Sequence, residues 1–203
     1  MPASIATEYL KFVAQQHTAL TLAAVRVPLT EGQLHPPIDM GGGTARELLA
    51  VAMREAAGLY RPSLRKEVVW VDGSDELAVA LEPSDVAIDD GVLALTLAVR
   101  CDQTGDARVR ITFVCGSPDQ PAGLFAATHR VPEGPALVVD RWGDALVAFA
   151  WQCVLGLFSG LAAAAGKDAR GQVLVPVEVM VTAKGLTIFP MARHRFTGQS
   201  AKL

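Results

Sequence analysis

Three glycines precede a threonine in "HPPIDMGGGTARELL", and this turn is the first candidate for chemistry in the chain. A helix that starts there would direct unpaired backbone N–H groups and the positive end of its dipole toward a bound anion. Gly42, Gly43 and Thr44 are therefore candidate ligand-binding residues, for example for a coenzyme A phosphate. The turn lacks the lysine of a P-loop and the third glycine of a dinucleotide fingerprint. A flexible hinge before a capped helix is the alternative, and the sequence favours it.

Three titratable side chains are candidates for acid–base catalysis. Glu178 interrupts the apolar stretch "VPVEVMV", and a carboxyl group on a covered strand face would suit proton transfer. Glu55 lies on the polar side of a predicted helix, and His129 precedes Arg130 at the end of a predicted strand. Each of these residues is also explained as an ordinary surface residue. The sequence therefore leaves open whether the protein is an enzyme.

Other catalytic and metal-binding patterns are missing from the sequence. It contains no G-x-S-x-G motif, and its 4 histidines have neither H-x-H nor H-E-x-x-H spacing. Cys101, Cys115 and Cys153 have no C-x-x-C spacing, which argues against a structural zinc site and a disulfide framework. We therefore predict no metal and no cofactor. Cys153, in an apolar segment, is predicted to be an inert packing residue.

Composition and charge exclude several classes of protein. Hydrophobic residues make up 51% of the chain and charged residues 19%, which predicts a folded core. The formal net charge of −3 and the absence of a basic stripe argue against nucleic-acid binding. The chain shows no secretory signal pattern, and its cysteines are not arranged for disulfides. We therefore predict a cytoplasmic protein.

The spacing of apolar residues predicts three helices. The first covers residues 4–17, and the second begins at a T-x-x-E capping box formed by Thr44 and Glu47. The third, at about residues 143–165, contains an uncharged run from Ala145 to Gly166 that is long enough to cross a membrane. We interpret this run as a core helix covered on all sides, because strand-patterned segments flank it. A membrane span is the alternative.

Alternation of apolar and polar residues predicts antiparallel strands. The clearest pair covers residues 92–100 and 107–114, joined by a hairpin across residues 102–106. Residues 28–43 are predicted to be a loop because of their proline and glycine content. Further strands are predicted at residues 67–71, 76–81, 123–131 and 134–140, and a final hairpin at residues 173–182 and 186–190.

The order of these elements predicts the fold class. Strands that occur in runs, rather than alternating with helices, indicate an α+β protein built on an antiparallel sheet packed against the long apolar helix. We predict a single domain over residues 1–203. It comprises an N-terminal helix and loop (1–40), a core (41–195) and a tail (196–203).

The glycine turn, the helix after it and the strands up to about residue 130 resemble the hotdog fold of acyl-CoA thioesterases and dehydratases. The strands that carry the resemblance lie in "DELAVALEPSDVAIDDGVLALTLAVRC", "DARVRITFVCG" and "AGLFAATHR". In that family a helix opens after a His-Gly-Gly-like turn and is wrapped by an antiparallel sheet. Here Met40 replaces the histidine, and Ala50 stands where the family's acid is expected. Thioesterase catalysis therefore does not follow from the resemblance.

The resemblance implies a protein that binds or processes an acyl or other apolar small-molecule ligand. The alternative is a non-catalytic accessory or assembly protein, in which the apolar helix and the final hairpin contact a partner. We expect a homo-oligomer that binds neither nucleic acid nor a membrane.

Overall fold

The computed structural model describes residues 37–58, 65–89, 91–115, 125–126, 131–164 and 174–192. The predicted helix at residues 4–17, the candidate His129 and the predicted tail at 196–203 lie outside these residues. In chain order the elements are β1 (Ile38–Met40), α1 (Gly42–Ala56), β2 (Glu67–Asp72), β3 (Asp75–Ala80), β4 (Asp85–Asp89), β5 (Val92–Cys101), β6 (Gly105–Val114), β7 (Phe125–Ala126), α2 (Ala136–Ala164), β8 (Leu174–Thr182) and β9 (Gly185–Ala192).

The described strands form two antiparallel sheets. One has three strands in the order β1-β9-β8. The other has six strands and follows the order β2-β3-β5-β6-β7, with β4 also paired to β5. The two sheets meet where the Gly91 N–H donates a hydrogen bond of 2.9 Å to the Val181 carbonyl oxygen. These antiparallel sheets and the long apolar helix confirm the predicted α+β class.

The hairpin of β5 and β6 lies at the centre of the larger sheet and confirms the clearest sequence prediction. Its register pairs Leu97 with Val109, and both side chains are completely buried. On the opposite face Thr96 pairs with Arg110, whose side chain is exposed. Strict alternation in the sequence therefore reports correctly which face of the sheet carries the core.

Helix α2 packs inside the domain. Its side chains Leu146, Val154 and Phe158 are at most 1% exposed, and the helix contacts α1, β6, β8 and β9. The segment Ala136–Ala162 is long and apolar enough to cross a membrane, yet 56% of its most apolar part is buried against the rest of the protein. This burial agrees with the prediction of a core helix.

The first half of α2 docks on β2 through aromatic rings. The ring centroid of Trp70 lies 5.5 Å from that of Phe149 in an edge-to-face arrangement and 6.4 Å from that of Trp142. Beside them, Arg141 Nε lies 2.9 Å from a carboxylate oxygen of Asp75, and Arg141 Nη2 lies 3.1 Å from a carboxylate oxygen of Asp72. The aromatic and ionic contacts therefore join α2 to the hairpin of β2 and β3.

Two local predictions are wrong. Residues 134–140 were predicted to be a strand, but the run containing Val138 and Val139 belongs to α2, because the Pro135 carbonyl accepts hydrogen bonds from both of their N–H groups. Residues 38–40, predicted as loop, form β1 because β9 supplies a distant pairing partner.

The final hairpin confirms its prediction, and its first strand is irregular beside a proline. β8 and β9 pair across a turn at Ala183 and Lys184. The register shifts between Pro176 and Glu178, and β8 is the last strand of its sheet. A strand that bulges at the edge of a sheet tolerates the missing N–H of proline.

Candidate functional site

The glycine turn connects β1 directly to α1. Gly41 has extended backbone angles of φ −72° and ψ 159°, and its carbonyl oxygen accepts the first helical hydrogen bond, 3.0 Å from the Ala45 nitrogen. Gly42, Gly43 and Thr44 are therefore the first three residues of the helix. Their N–H groups precede the first intrahelical donor, so they face outward from the helix end.

The predicted capping box of Thr44 and Glu47 is wrong. The cap residue is Gly41, which has no side chain, and no side-chain hydrogen bond caps the helix. The physical reason is that pairing of Met40 with Leu186 holds β1 in the sheet, so the chain must turn at Gly41 and the helix starts at once. The first turn of α1 also contains no acidic residue. Its positive dipole end is therefore not compensated by a carboxylate in that turn.

The tight backbone approach beside this turn comes from Gly185, not from the three glycines. Gly185 has φ +148°, and a Cβ atom added to it would overlap the Met40 carbonyl oxygen and lie 3.3 Å from the Gly41 Cα. A Cβ atom added to Gly41 or Gly43 would meet nothing within 4 Å. Among the described residues the turn is therefore open at Gly41 and Gly43, whereas a Cβ atom added to Gly42 would lie 3.6 Å from Ile88 Cδ1.

An exposed stripe on α1 runs from this open end. Thr44, Leu48 and Val51 follow one another at helical spacing, and Val51 is 48% exposed while Leu48 is half-buried. Sequence reasoning missed Val51, because it falls between the predicted apolar and polar faces of the helix. The stripe extends about 10 Å along the helix axis from Thr44 to Val51. We call Thr44, Leu48 and Val51 the α1 stripe.

The carboxylate candidates do not join the glycine turn. Glu55 is exposed near the other end of α1, about 20 Å along the helix from Gly42. Glu178 is half-buried and pairs with Phe189 in β9, three residues beyond the Leu186 that pairs with Met40, or about 10 Å along the sheet. The buried neighbour Val179 shows that Glu178 points to the face away from the core.

A shallow depression of about 640 Å³ lies on the outer face of the larger sheet. Ala78, Ala80 and Ala98 form its floor. Its rim includes Arg100, whose guanidinium lies 3.0 Å from the Glu67 carboxylate. The depression is therefore on the opposite side of the sheet from the helices and does not belong to the glycine turn.

The three cysteines are free thiols in two different environments. Burial raises the pKa of Cys115 and of Cys153 to about 12, so both thiols stay protonated. At Cys101 a hydrogen bond with Thr104, with 3.1 Å between Sγ and Oγ1, is the main cause of a lowered pKa. The prediction that Cys153 is a buried packing residue is confirmed, since its side chain is completely buried.

Metal binding finds no support within the described ranges. There, no group of three or more His, Cys, Asp or Glu side chains could hold a metal ion. The core is also free of polar and charged side chains in the part of the chain that the structure describes. The open end of α1 and its stripe are the features on which a function can be based.

The fold is that of an α+β protein in which antiparallel sheets pack against a long apolar helix. The candidate site is the uncapped end of α1 together with the partly exposed α1 stripe. A scan against models of protein families finds no match, and searches of the curated proteins and of the solved structures find no significant match.

Proposed function

We propose that this protein binds an acyl or other apolar ligand that carries an anionic end. The anionic end lies at the first turn of α1, against the N–H groups of Gly42, Gly43 and Thr44. The apolar part lies along Leu48 and Val51. The observation that carries this proposal is the continuity between the uncapped helix end and the α1 stripe, in which Leu48 is half-buried and Val51 is 48% exposed.

Binding of the ligand's anionic end is supported by the absence of a capping side chain at the start of α1. With neither a capping side chain nor an acidic residue in the first turn, its N–H groups and its dipole are available to an external anion. Helix N-termini preceded by glycines bind phosphates in many proteins because the backbone can approach closely. Gly43, where an added Cβ would meet no atom within 4 Å, leaves room for such an approach.

The apolar part is supported by Val51. Val51 is 48% exposed beside the half-buried Leu48, and an exposed valine side chain gains free energy when it is covered. Covering it fully would contribute about 1 kcal/mol, since half of a valine side chain remains to be buried. The ligand class therefore combines a charged group with a hydrocarbon portion.

A hotdog-like fold is part of the proposal and is supported by the general architecture. A helix that follows a glycine turn packs beside antiparallel sheets, as the resemblance implies. Met40 is buried at 6% exposure, and Ala50 is also buried, so the two positions where that family would place catalytic groups carry apolar side chains. We therefore propose binding as the core activity and treat hydrolysis as a separate readout.

The test compares three probes: a medium-chain acyl-CoA, coenzyme A alone and the matching free fatty acid. We expect the acyl-CoA to raise the melting temperature most, because it alone offers a phosphate-bearing anion together with a hydrocarbon chain. At about 100 times the dissociation constant it would add about 2.7 kcal/mol to the free energy of unfolding. Release of free coenzyme A is measured in the same samples. If no chain length of acyl-CoA shifts the melting temperature, the proposal is wrong.

Two variants separate the parts of the site. Gly43→Asp places a carboxylate in the first turn, where it favours the helix dipole and opposes a bound anion. Val51→Glu removes the apolar contact, and Val131→Glu is its matched control, because Val131 is 74% exposed and lies outside α1. We expect weaker acyl-CoA binding from the first two variants and unchanged binding from the control.

Self-association is the second proposal, and it places the protein among homo-oligomeric accessory or assembly proteins. Exposed valines on β2 favour it, because Val69 and Val71 are 49% and 61% exposed on a terminal strand. Light scattering coupled to size-exclusion chromatography tests it, and a monomer at every concentration would contradict it. In both proposals we place the protein in the cytoplasm, as the sequence predicts, and the packing of α2 inside the domain supports a core helix rather than a membrane span.

A further inference from the structure

Strand β2 ends the larger sheet, and no described strand pairs with its second edge. The Leu81 N–H donates a 2.8 Å hydrogen bond to the Lys66 carbonyl, and the register continues unbroken along the pair of strands. Because hydrogen-bonded positions alternate along an antiparallel pair, even-numbered residues of β2 bond to β3. Glu67, Val69 and Val71 therefore direct their N–H and C=O groups away from the sheet.

This edge lacks the usual protection against pairing with another strand. Edge strands are commonly protected by a proline, a bulge or a charge in the middle of the strand. β2 has neither proline nor bulge, and its charged residues lie at its ends. The side chains in the middle of its outer face are the exposed Val69 and Val71. Within the part of the chain that the structure describes, this edge is therefore unpaired, and the middle of its outer face is apolar.

The edge is complementary to itself in one register. Two copies related by a two-fold axis pair antiparallel, so each outward-facing residue must meet an outward-facing residue of the other copy. Centring the pair on Val69 places Val69 opposite Val69 and Glu67 opposite Val71. This register uses every outward-facing residue of the strand, and each facing pair can exchange two main-chain hydrogen bonds.

The same register also matches charges. It places Lys66 of each copy opposite Asp72 of the other, and opposite charges in facing positions stabilise antiparallel strands. The Asp72 side chain is 65% exposed although it contacts Arg141, so it is accessible to a second cation. A register centred on Val68 would instead place Lys66 opposite Trp70, and one centred on Trp70 would place Asp72 opposite Val68. Charge complementarity therefore selects the register centred on Val69.

We propose that the second edge of β2 is a self-association surface at which two copies pair antiparallel about Val69, so that their larger sheets become continuous. This inference rests on the proposed self-association and locates it, while it is independent of ligand binding at α1. A strand of 6 residues buries less than a standard interface of about 1,600 Å². We therefore expect dissociation in the micromolar range.

Val69→Pro tests the edge itself. Proline removes the outward N–H of Val69, which does not bond to β3, so the pairing with β3 is retained. Val69→Thr is the matched control, because threonine keeps the N–H and the branched shape. Using the full chain at low to high micromolar concentration, we expect a dimer for the native protein and for Val69→Thr, and a monomer for Val69→Pro. Circular dichroism verifies that each variant is folded.

A charge exchange tests the register and does not depend on proline. The substitution Lys66→Glu places a negative charge opposite Asp72 of the second copy. The substitution Asp72→Lys places a positive charge opposite Lys66 of the second copy. Each variant alone should associate roughly tenfold more weakly, because two facing pairs become repulsive. An equimolar mixture of the two variants restores both attractive pairs, so we expect a heterodimer of native affinity.

The outcomes separate this inference from the proposal on which it rests. Loss of the dimer in the single variants and its recovery in the mixture would support the interface. Folded variants that all dimerise like the native protein would overturn the interface but leave self-association standing. Weakened variants that fail to recover on mixing would overturn the register and this interface with it. A native protein that stays monomeric, with β2 covered by another segment of its own chain, would overturn both.

Discussion

Replacing Gly185 by alanine tests the close approach between the final hairpin and the glycine turn. An alanine at φ +148° occupies a region that non-glycine residues rarely adopt, at a cost of about 1–3 kcal/mol. Its Cβ would also overlap the Met40 carbonyl oxygen, and such overpacking costs about 1–3 kcal/mol more. We therefore expect Gly185→Ala to lower the free energy of unfolding by about 2–6 kcal/mol.

The assay is thermal and urea unfolding followed by circular dichroism. In a chain of 203 residues each kcal/mol shifts the melting temperature by about 2–4 °C, so a loss of about 4 kcal/mol lowers it by about 8–16 °C. Because β1 has only 3 residues, its release from β9 is the easiest way to relieve the overlap. Hydrogen exchange should therefore become faster at β1 and at the edge of β9 that faces it.

Two glycine variants serve as controls. Gly73 has φ +65° but no atom within 4 Å of an added Cβ, so Gly73→Ala isolates the conformational cost of about 1–2 kcal/mol. Gly43 is helical and equally open, so Gly43→Ala should stabilise the protein by about 0.4–1 kcal/mol. If Gly185→Ala loses no more stability than Gly73→Ala, the proposed close approach to Met40 is refuted.

Three further outcomes follow from the core, the thiols and the surface. Leu146→Ala should lower the free energy of unfolding by about 2–5 kcal/mol in urea, since this side chain is completely buried; a loss below 1 kcal/mol would contradict its place in the core. Iodoacetamide should alkylate native Cys101 before Cys115 and Cys153, with a rate that rises at lower pH than for an ordinary thiol; mass spectrometry of proteolytic peptides at successive times would reveal any different order. Arg141→Ala should cost about 0.5–1 kcal/mol, less at high salt, and a loss independent of salt would argue against an ionic role.

The central hairpin and the final hairpin could be predicted because their signals are local. Apolar and polar residues alternate along residues 92–100 and 107–114, which shows which face of the hairpin is buried. The turn residues between the two strands determine their pairing. Burial of α2 could also be predicted, since an uncharged run flanked by strands requires cover on all sides. In these elements the side chains that the sequence periodicity places on one face are the side chains that the structure buries.

The remaining elements depend on contacts that lie far apart in the sequence. β1 exists because β9 pairs with it, and three residues near a glycine run carry no strand signal of their own. The start of α2 was misplaced because Val138 and Val139 favour strands, whereas the tertiary fold and the Pro135 carbonyl place them in a helix. Exposure of Val51 could not be predicted either, because helical periodicity does not tell which side of a helix other elements leave open.

The pairing of β1 with β9 sets an order on folding. The Thr187 hydroxyl donates a 2.6 Å hydrogen bond to the Asp39 carboxylate, and 148 positions separate the two residues. During synthesis the larger sheet can therefore form before β9 is available to pair with β1. Contacts between residues so far apart in the sequence are also slow to form. Loss of the final hairpin would leave β1 unpaired and α1 without the β-strand anchor that precedes it. We therefore expect the first turn of α1 to reach its final position late in folding, when β9 pairs with β1.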